Sequence, residues 1–172
     1  MNKQKACLRK QGFTLLELLV VIAIIAVVVA FAVSNFVGAR QRARDVRKKA
    51  EISQMKSALR LYYNDFNTYP GSAVVTSENT FDGCGGLIPP STACTSSFTA
   101  GTTVYMKLLP QASDYVWNYR QVAGGDDFCL WTTLDNASDA EIAKSQTKCN
   151  TAAICSSFSP PVPAGAYVVC AD

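Results

Sequence analysis

The stretch that decides the fold runs from Phe13 to Val33 and reads FTLLELLVVIAIIAVVVAFAV. Its 21 residues include a single charged side chain, that of Glu17. At about 1.5 Å of rise per helical residue, the stretch covers about 31 Å, which matches the hydrocarbon core of a lipid bilayer. We therefore predict that residues 13–35 contain a membrane-spanning helix.

The charges around this span predict its orientation. Four basic residues and no acidic residue precede it, namely Lys3, Lys5, Arg9 and Lys10. By the positive-inside rule they hold the N-terminus in the cytoplasm and place the rest of the chain outside. A second basic cluster follows the span between Arg40 and Lys49, so the orientation depends partly on the cysteines described below. Without the four leading charges, 12 basic and 13 acidic residues remain, so we expect no nucleic-acid partner.

Two other roles of an apolar N-terminal segment fit less well. A secretory signal peptide has a shorter apolar region, followed by a small-residue cleavage site that is only weakly present here. A simple signal anchor gives no reason for Glu17, because a carboxylate in hydrocarbon costs roughly 2.5–3.5 kcal/mol on insertion scales. Since the span offers Glu17 no obvious partner, we expect the partner to come from another molecule. The alternative is a Glu17 that is protonated or reaches the cytoplasmic interface.

The residues around this glutamate resemble a known processing signature. The sequence Lys10-Gln11-Gly12-Phe13-Thr14-Leu15-Leu16-Glu17 is similar to the prepilin signature of type IV pilins and type II secretion pseudopilins. The resemblance implies that a membrane aspartyl peptidase removes a leader of residues 1–12 and methylates the new N-terminus at Phe13. It also implies that Glu17 meets the N-terminal amine of a neighbouring subunit during assembly. Glu17 would then set the register between subunits, because its carboxylate meets the amine of the neighbour, and loses the cost of a buried charge, only when the two subunits are aligned.

The resemblance extends to about Pro70 and implies a function and a set of partners. It implies a structural filament subunit in the inner membrane, crossing it once, with an extracytoplasmic head. Its partners would be other copies, minor pilins or pseudopilins, the prepilin peptidase, an assembly platform with its ATPase, and membrane lipid. The segments 38–44 and 61–65 are most similar to the G-type major pseudopilin of type II secretion. A surface pilin for adhesion, motility or DNA uptake is the alternative, and a membrane-anchored binding module is a further one.

Beyond the span, the helical pattern continues as far as Tyr69-Pro70. Small or apolar residues recur every three or four positions, and the residue before a proline is biased away from helical geometry. We therefore predict one helix over about residues 13–67, whose extracytoplasmic part belongs to residues 36–70. Its upper part is expected to pack on a head through Met55, Leu59, Tyr62 and Phe66. Most of the basic cluster is interpreted as a face that contacts water or lipid headgroups.

The head, residues 71–172, is predicted to contain a small antiparallel sheet. Residues 71–110 read as an irregular connection rich in Gly, Ser, Thr and Pro. Residues 115–122 and 128–134 flank the turn Gly124-Gly125-Asp126-Asp127 and predict a hairpin, with Tyr115, Trp117 and Tyr119 on one face. Ser138 to Glu141 matches a capping box that starts a short helix, and residues 166–170 predict a last strand. The expected fold is α+β and pilin-like, with three or four strands against the helix.

The cysteines predict a disulfide framework. Cys7 lies in the leader, and the remaining even number lies in the head, as is typical of an oxidising compartment. These six are Cys84, Cys94, Cys129, Cys149, Cys155 and Cys170. Six cysteines allow 15 pairings, of which we predict Cys84–Cys94, Cys149–Cys155 and Cys129–Cys170. Six reduced, buried thiols in a cytosolic protein are the alternative.

The sequence carries little that indicates catalysis or metal binding. It contains no histidine, so the usual general base and the common protease arrangements are missing, and we predict no enzyme activity. No zinc or other structural metal site is expected, because the cysteines lack the required spacing. Asp126, Asp127 and Asp135 could gather around calcium, which the resemblance to G-type pseudopilins also raises. Turn formation is the better interpretation of Gly124 to Asp127.

Overall fold

The computed structural model describes residues 12–71, 78–85, 92–149, 155 and 161–171, without the side chains of residues 32–35. The chain divides into two compact units, Met1–Arg40 and Gln41–Asp172, and each is described by itself. The first helix, α1, covers Leu15–Phe66 and contributes residues to both units. The helix predicted over about residues 13–67 is therefore confirmed, with each end within two residues of its expected position.

In the first unit, α1 presents a continuous apolar surface. Its large apolar side chains are exposed all round the helix, from Leu15 at 87% to Phe31 at 74%. Among the described residues, no single helix is long and apolar enough to cross a membrane. The segments Leu15–Phe31 and Phe36–Phe66 pass that test only when taken as a pair, by length and composition. The span predicted over residues 13–35 thus stays a prediction.

The head begins with two short antiparallel hairpins where the sequence predicted an irregular connection. Strands β1 (Phe81–Cys84) and β2 (Thr92–Cys94) form one hairpin, and β3 (Phe98–Ala100) and β4 (Thr103–Met106) form the other. The prediction was wrong because three- and four-residue strands with shifted register are too short to show alternation. At the β1 shift, Gly83 adopts φ +133°, and a Cβ there would lie 2.9 Å from Cβ of Pro70, so only glycine fits.

A three-stranded antiparallel sheet forms the centre of the head. Its strands β5 (Trp117–Gln121), β6 (Phe128–Thr133) and β7 (Ala166–Cys170) are hydrogen-bonded in that order. Tyr119 faces Leu130 across the first pair, and Leu130 faces Val169 across the second. The predicted hairpin and last strand are both confirmed, as is the α+β class.

The upper part of α1 packs on one face of this sheet. Ile52, Met55, Leu59 and Tyr62 are at most 2% exposed and meet an aromatic layer from the strands. The fully buried ring of Tyr119 keeps a polar partner, because its hydroxyl donates to the carbonyl of Pro70 at 2.7 Å. The predicted contacts of α1 are confirmed, with Phe66 partly buried at the end of the row.

A second helix, α2 (Ala140–Lys148), packs against β7, the last strand of the sheet. Its N-cap is Asp139, whose side chain accepts from the backbone N–H of Glu141. The start predicted at Ser138 was therefore one residue early, since the Ser138 N–H donates to Asn136 Oδ1 instead. Ser145 Oγ accepts from the Val168 N–H of β7. The strand β6 is buried along almost its whole length, because one of its faces joins the core that contains α1 and the other joins a second buried cluster that contains Cys149 and Cys155.

Three disulfides brace the head, and two of them differ from the predicted pairing. Cys84–Cys94 is confirmed and links β1 to β2. The others are Cys129–Cys155 and Cys149–Cys170, with Cα–Cα distances of 6.2 Å and 5.6 Å. The predicted Cys149–Cys155 and Cys129–Cys170 bridges are therefore corrected.

The geometry of the sheet explains this exchange of partners. Cys129 and Cys170 are indeed direct cross-strand neighbours, and both belong to the second buried cluster, together with Cys149 and Cys155. Side chains stand roughly perpendicular to a sheet, so both sulfurs point to the same face, where they bond to Cys155 and Cys149 of that cluster. The bridges thus join two strands of the sheet to Cys155 and to Cys149, the residue that ends α2.

Candidate assembly site

The Gly12–Phe13 peptide bond lies outside the helix and is accessible. Gly12, Phe13 and Thr14 precede the start of α1 at Leu15. Phe13 is 84% exposed, and a Cβ added at Gly12 would meet no heavy atom within 4 Å. The two residues of the predicted cleavage site are thus adjacent, exposed and free of regular secondary structure.

Glu17 forms a capping box with Thr14 at the start of α1. Glu17 Oε2 accepts from the Thr14 backbone N–H and from the Thr14 hydroxyl, each at 3.0 Å. In return, Thr14 Oγ1 accepts from the Glu17 N–H at 3.3 Å. This reciprocal arrangement satisfies backbone donors that a helix N-terminus leaves open. It corrects the expectation that the span offers Glu17 no partner, and the Thr-x-x-Glu pattern was a signal that sequence reasoning missed.

The capping box leaves one carboxylate oxygen available. Both hydrogen bonds to Glu17 end on Oε2, and Oε1 makes none with the part of the chain that the structure describes. Glu17 is exposed on the apolar first turns of α1. The site can therefore hold one cationic group at Oε1 while Thr14 fixes the side chain through Oε2.

In the unit Gln41–Asp172, a buried acid on α1 holds the segment of the head that leads into α2. Asp45 is only 2% exposed. Its two carboxylate oxygens accept from the backbone N–H groups of Asp135 and Asn136, at 2.7 Å and 2.9 Å. Sequence reasoning missed this role, because Asp45 sits among basic residues and its partners lie 90 and 91 positions away.

Basic residues of α1 bind the same segment through its carboxylates. Asp135 pairs with Arg44 at 2.5 Å and with Lys48 at 2.6 Å, and Asp139 pairs with Lys49 at 2.7 Å. Hydrogen bonds from Lys48 and then Arg44 lower the pKa of Asp135, and the bond from Lys49 is the main cause that lowers the pKa of Asp139. The interpretation of the basic cluster as a face in contact with water or lipid was therefore wrong for Lys48 and Lys49, whose side chains are 12% and 21% exposed, whereas the Arg44 side chain stays 57% exposed.

The aspartates that could have formed a calcium site do not come together. Asp127 precedes β6 and Asp135 follows it, so they lie at opposite ends of the strand. Asp135 is bound to two cations, and Asp127 Oδ1 accepts from the N–H groups of Phe128 and Ala171. In the described ranges, no three cysteine or carboxylate side chains gather in a way that would hold a metal ion.

Comparison with known proteins places this N-terminal geometry in a family. A family model described as the prokaryotic N-terminal methylation motif matches residues 7–33, which include Gly12, Phe13 and Glu17. The type II secretion system core protein G of Escherichia coli is 31% identical over 111 residues, or 63% of this chain and 71% of that protein. A type IV wide pilus major component of Thermus thermophilus is 30% identical over 107 residues, or 62% of this chain and 78% of that protein. The chain belongs to the type IV pilin and type II secretion pseudopilin family.

The similarity covers only part of this chain and part of each relative. The core protein G of Aeromonas hydrophila is 33% identical over 103 residues, or 60% of this chain. The pilin-like chain spans 66% of that relative's length, and 41% and 62% of two further secretion relatives. No solved structure is a significant match. The long helix followed by small antiparallel sheets agrees with the predicted pilin-like architecture.

Proposed function

We propose that this chain is a structural filament subunit, inserted in the inner membrane as a precursor, cleaved after Gly12 and assembled through its N-terminal helix. The observation that carries the proposal is the first turn of α1. There an exposed Gly12–Phe13 bond stands directly before a carboxylate that is fixed by Thr14 and open on one oxygen. This arrangement supports processing and charge pairing at the same end of the helix.

Cleavage after Gly12 leaves the start of the helix intact. Hydrolysis consumes one water and produces a carboxylate on Gly12 and an amine on Phe13, and the peptidase then transfers a methyl group to this amine from a separate methyl donor. The capping hydrogen bonds and the bond from the Leu18 N–H to the Thr14 carbonyl all lie after the cut. The mature chain therefore keeps a formed helix end and gains a positive charge beside Glu17.

The free-energy cost of an isolated charge in apolar surroundings favours the pairing of charges between copies. In a bilayer or a bundle of apolar helices, the Phe13 amine and the Glu17 carboxylate are each costly when alone. Bringing the amine of one copy to Oε1 of Glu17 in the next removes both costs at a single alignment. The exposed apolar surface of α1 supplies the area for packing in lipid and against other copies.

Within the family, we favour a type II secretion pseudopilus subunit, which supports protein secretion. Several relatives carry the name type II secretion system core protein G. Minor subunits, the prepilin peptidase, an assembly platform and its ATPase would be the partners. A surface pilin is the second candidate, favoured by the type IV wide pilus relative and by a head braced with three disulfides. Neither role requires catalysis by this chain.

The decisive experiment separates the charge of Glu17 from its capping role. Glutamine also serves at this position of a capping box, so Glu17→Gln removes the charge and keeps the cap. We expect Glu17→Gln chains to be cleaved and helical but to form no filaments, as seen by mass spectrometry, circular dichroism and electron microscopy. Thr14→Val is the matched control, since it removes the cap, keeps the charge and should still assemble. Normal filaments from cleaved Glu17→Gln chains would overturn the proposal.

Two further readouts distinguish the candidate roles. The mature wild-type chain should begin at methylated Phe13, and a different N-terminus would count against the processing step. Deletion of the gene should abolish secretion of an exoprotein if the filament is a pseudopilus, and should abolish surface fibres if it is a pilus.

A further inference from the structure

The apolar surface of the first unit ends in an aromatic ring and an arginine. Phe36 and Val37 are the last large apolar residues of that unit, at 58% and 57% exposed. Arg40 follows them, is also exposed, and belongs to the same unit, Met1–Arg40. These residues come directly after residues 13–35, which the sequence predicts to cross the membrane. They therefore mark the place where the predicted span leaves the hydrocarbon.

The Arg40 guanidinium lies over the Phe36 ring. Its Cζ is 4.4 Å from the centre of the ring, within the range of a cation–π contact. The two residues are four positions apart and therefore share a face of α1. Because side chains on a helix lean towards its N-terminus, this contact brings the charge back by one helical turn, from the level of the Arg40 backbone to the level of Phe36.

This position matches the depth at which lipid phosphates lie. For a span that ends at residue 35, the Arg40 backbone lies about 7.5 Å further along the helix axis. The headgroup layer on each side of a bilayer is about 5–7.5 Å thick. Held back over Phe36, the guanidinium falls just beyond the predicted span and inside that layer, whereas an arginine that pointed away from the span would reach bulk water.

The contact with Phe36 leaves the hydrogen-bond donors of Arg40 open. A ring below a guanidinium takes up one of its flat faces, and the N–H donors lie in the plane and point outwards. Arg40 forms no hydrogen bond or ion pair with the residues that the structure describes. Four of the next five basic residues do pair with acids, namely Arg44, Arg47, Lys48 and Lys49.

We propose that Phe36 and Arg40 form a binding site for the headgroup phosphate of an anionic phospholipid, at the extracytoplasmic end of the span. The planar fork of a guanidinium matches two oxygens of a phosphate, and the ring holds the fork at the depth of the headgroups. The inference rests on the proposed function, because it needs the helix in a membrane. It adds a lipid contact at the outer end of the span to the charge pairing at Glu17.

A carboxylate of a second copy is the other ligand that an open guanidinium binds, and the acids of the chain argue against it. Glu17 is the only acidic residue among residues 1–40, and it lies at the opposite end of the predicted span. The next acid along the chain, Asp45, is 2% exposed and already accepts from two backbone N–H groups. A neighbouring copy at the same depth in the membrane therefore offers Arg40 no carboxylate, whereas phosphates surround the helix there.

Native mass spectrometry of the full chain in detergent measures this binding. Phosphatidylglycerol or phosphatidylcholine is added in increasing amounts, and the fraction of chains that retain one lipid gives an apparent affinity. We expect phosphatidylglycerol to be retained in preference, because its headgroup carries a net negative charge. Arg40→Gln should weaken that retention about fivefold, which is the contribution of one arginine near an anionic membrane surface. Equal retention by the wild-type and Arg40→Gln chains would show that the inference is wrong.

Three more variants separate a formed site from a general attraction of charges. Arg40→Lys keeps the charge without the fork and should lose about twofold, and Phe36→Leu keeps an apolar side chain without the ring and should lose about twofold. Lys107→Gln removes an exposed lysine of the second unit and should leave retention unchanged. A loss with Lys107→Gln as large as that with Arg40→Gln would contradict the proposal. Near-ultraviolet circular dichroism checks that the head of each variant is folded.

Two further measurements identify the occupant. Excess inorganic phosphate should not displace the lipid, because a free anion gains nothing from the acyl chains, and complete displacement would indicate a site for a free anion instead. Arg40→Gln should still assemble into filaments. If it blocks assembly while lipid retention is unchanged, the ligand of Arg40 is another copy and the inference is wrong.

The fate of the wild-type chain separates the two proposals. If it inserts into phospholipid vesicles and the Arg40 variants retain phosphatidylglycerol normally, the inference about the lipid site is wrong and the proposed function stands. If the wild-type chain does not associate with phospholipid vesicles under any condition, both proposals fail.

Discussion

The removal of one buried carboxylate should weaken the packing of α1 against the head and lower the stability of the unit Gln41–Asp172. Asp45 is 2% exposed and accepts from the backbone N–H groups of Asp135 and Asn136. In the Asp45→Ala variant, both donors lose a charged acceptor in a place where little water reaches them. The segment between β6 and α2 then still has its ion pairs with Arg44, Lys48 and Lys49 of α1.

The size of the effect follows from these two hydrogen bonds. A hydrogen bond to a charged group contributes about 1.5–3 kcal/mol, so losing two costs about 3–4 kcal/mol if the neighbouring segment relaxes partly. Alanine is the better helix former by roughly 0.5 kcal/mol, which reduces the net loss to about 3 kcal/mol. For a head of this size, that loss lowers the melting temperature by about 10 °C. Asp45→Asn keeps one acceptor oxygen and should lose about half as much.

The near-ultraviolet circular dichroism of the full chain in detergent measures this loss. Both tryptophans of the chain, Trp117 and Trp131, lie in the central sheet, so the signal reports the head and not the apolar end of α1. Asp114→Ala is the matched control, because the Asp114 side chain is 41% exposed and its Oδ2 makes only a long ion pair, at 3.6 Å, with Nη2 of Arg47. It should change stability by less than about 0.5 kcal/mol. An Asp45→Ala protein as stable as this control would refute the reasoning.

Two further predictions concern the disulfides of the head and its ion pairs with α1. Peptide mapping without reduction should recover Cys149 joined to Cys170, and replacing both with alanine should cost about 3 kcal/mol for a loop of this length; a peptide that joins Cys149 to Cys155 would contradict the structure. The pKa values of Asp135 and Asp139 are lowered in the folded head, so their ion pairs stabilise it above the ordinary carboxyl pKa of about 4 and are lost as the pH falls below that value. Denaturant unfolding at pH 6 and pH 3 checks this, and Asp135→Asn should reduce the difference.

The parts of the fold that the sequence predicted are those with a local pattern. The helix, the β5–β6 hairpin and β7 each show periodicity over five or more residues, with clear turn residues between them. Met55, Leu59 and Tyr62 follow the helical period and are buried as expected. The signature around Glu17 is likewise contiguous, so the sequence alone was enough to name the candidate processing and assembly residues.

The parts that were missed depend on contacts between distant residues. Asp45 looks like one more charge in a polar run, and its burial is decided by a segment about 90 residues later. The same holds for the exchange of disulfide partners, because the spacing of Cys149 and Cys155 says nothing about which sulfur lies above Cys129. The hairpins β1–β2 and β3–β4 were missed for a different reason, because their strands are too short to show the alternation of apolar and polar residues.

The capping box gives the proposed removal of the leader a simple physical meaning. Among the described residues, the capping hydrogen bonds at the start of α1 are made by atoms after Gly12, so a trimmed chain would keep all of them. A cut at this point changes the electrostatics of the terminus and leaves its shape alone. Maturation of this subunit would then act as a charge switch, turning a terminus that ends in a neutral amide into one that can neutralise a carboxylate.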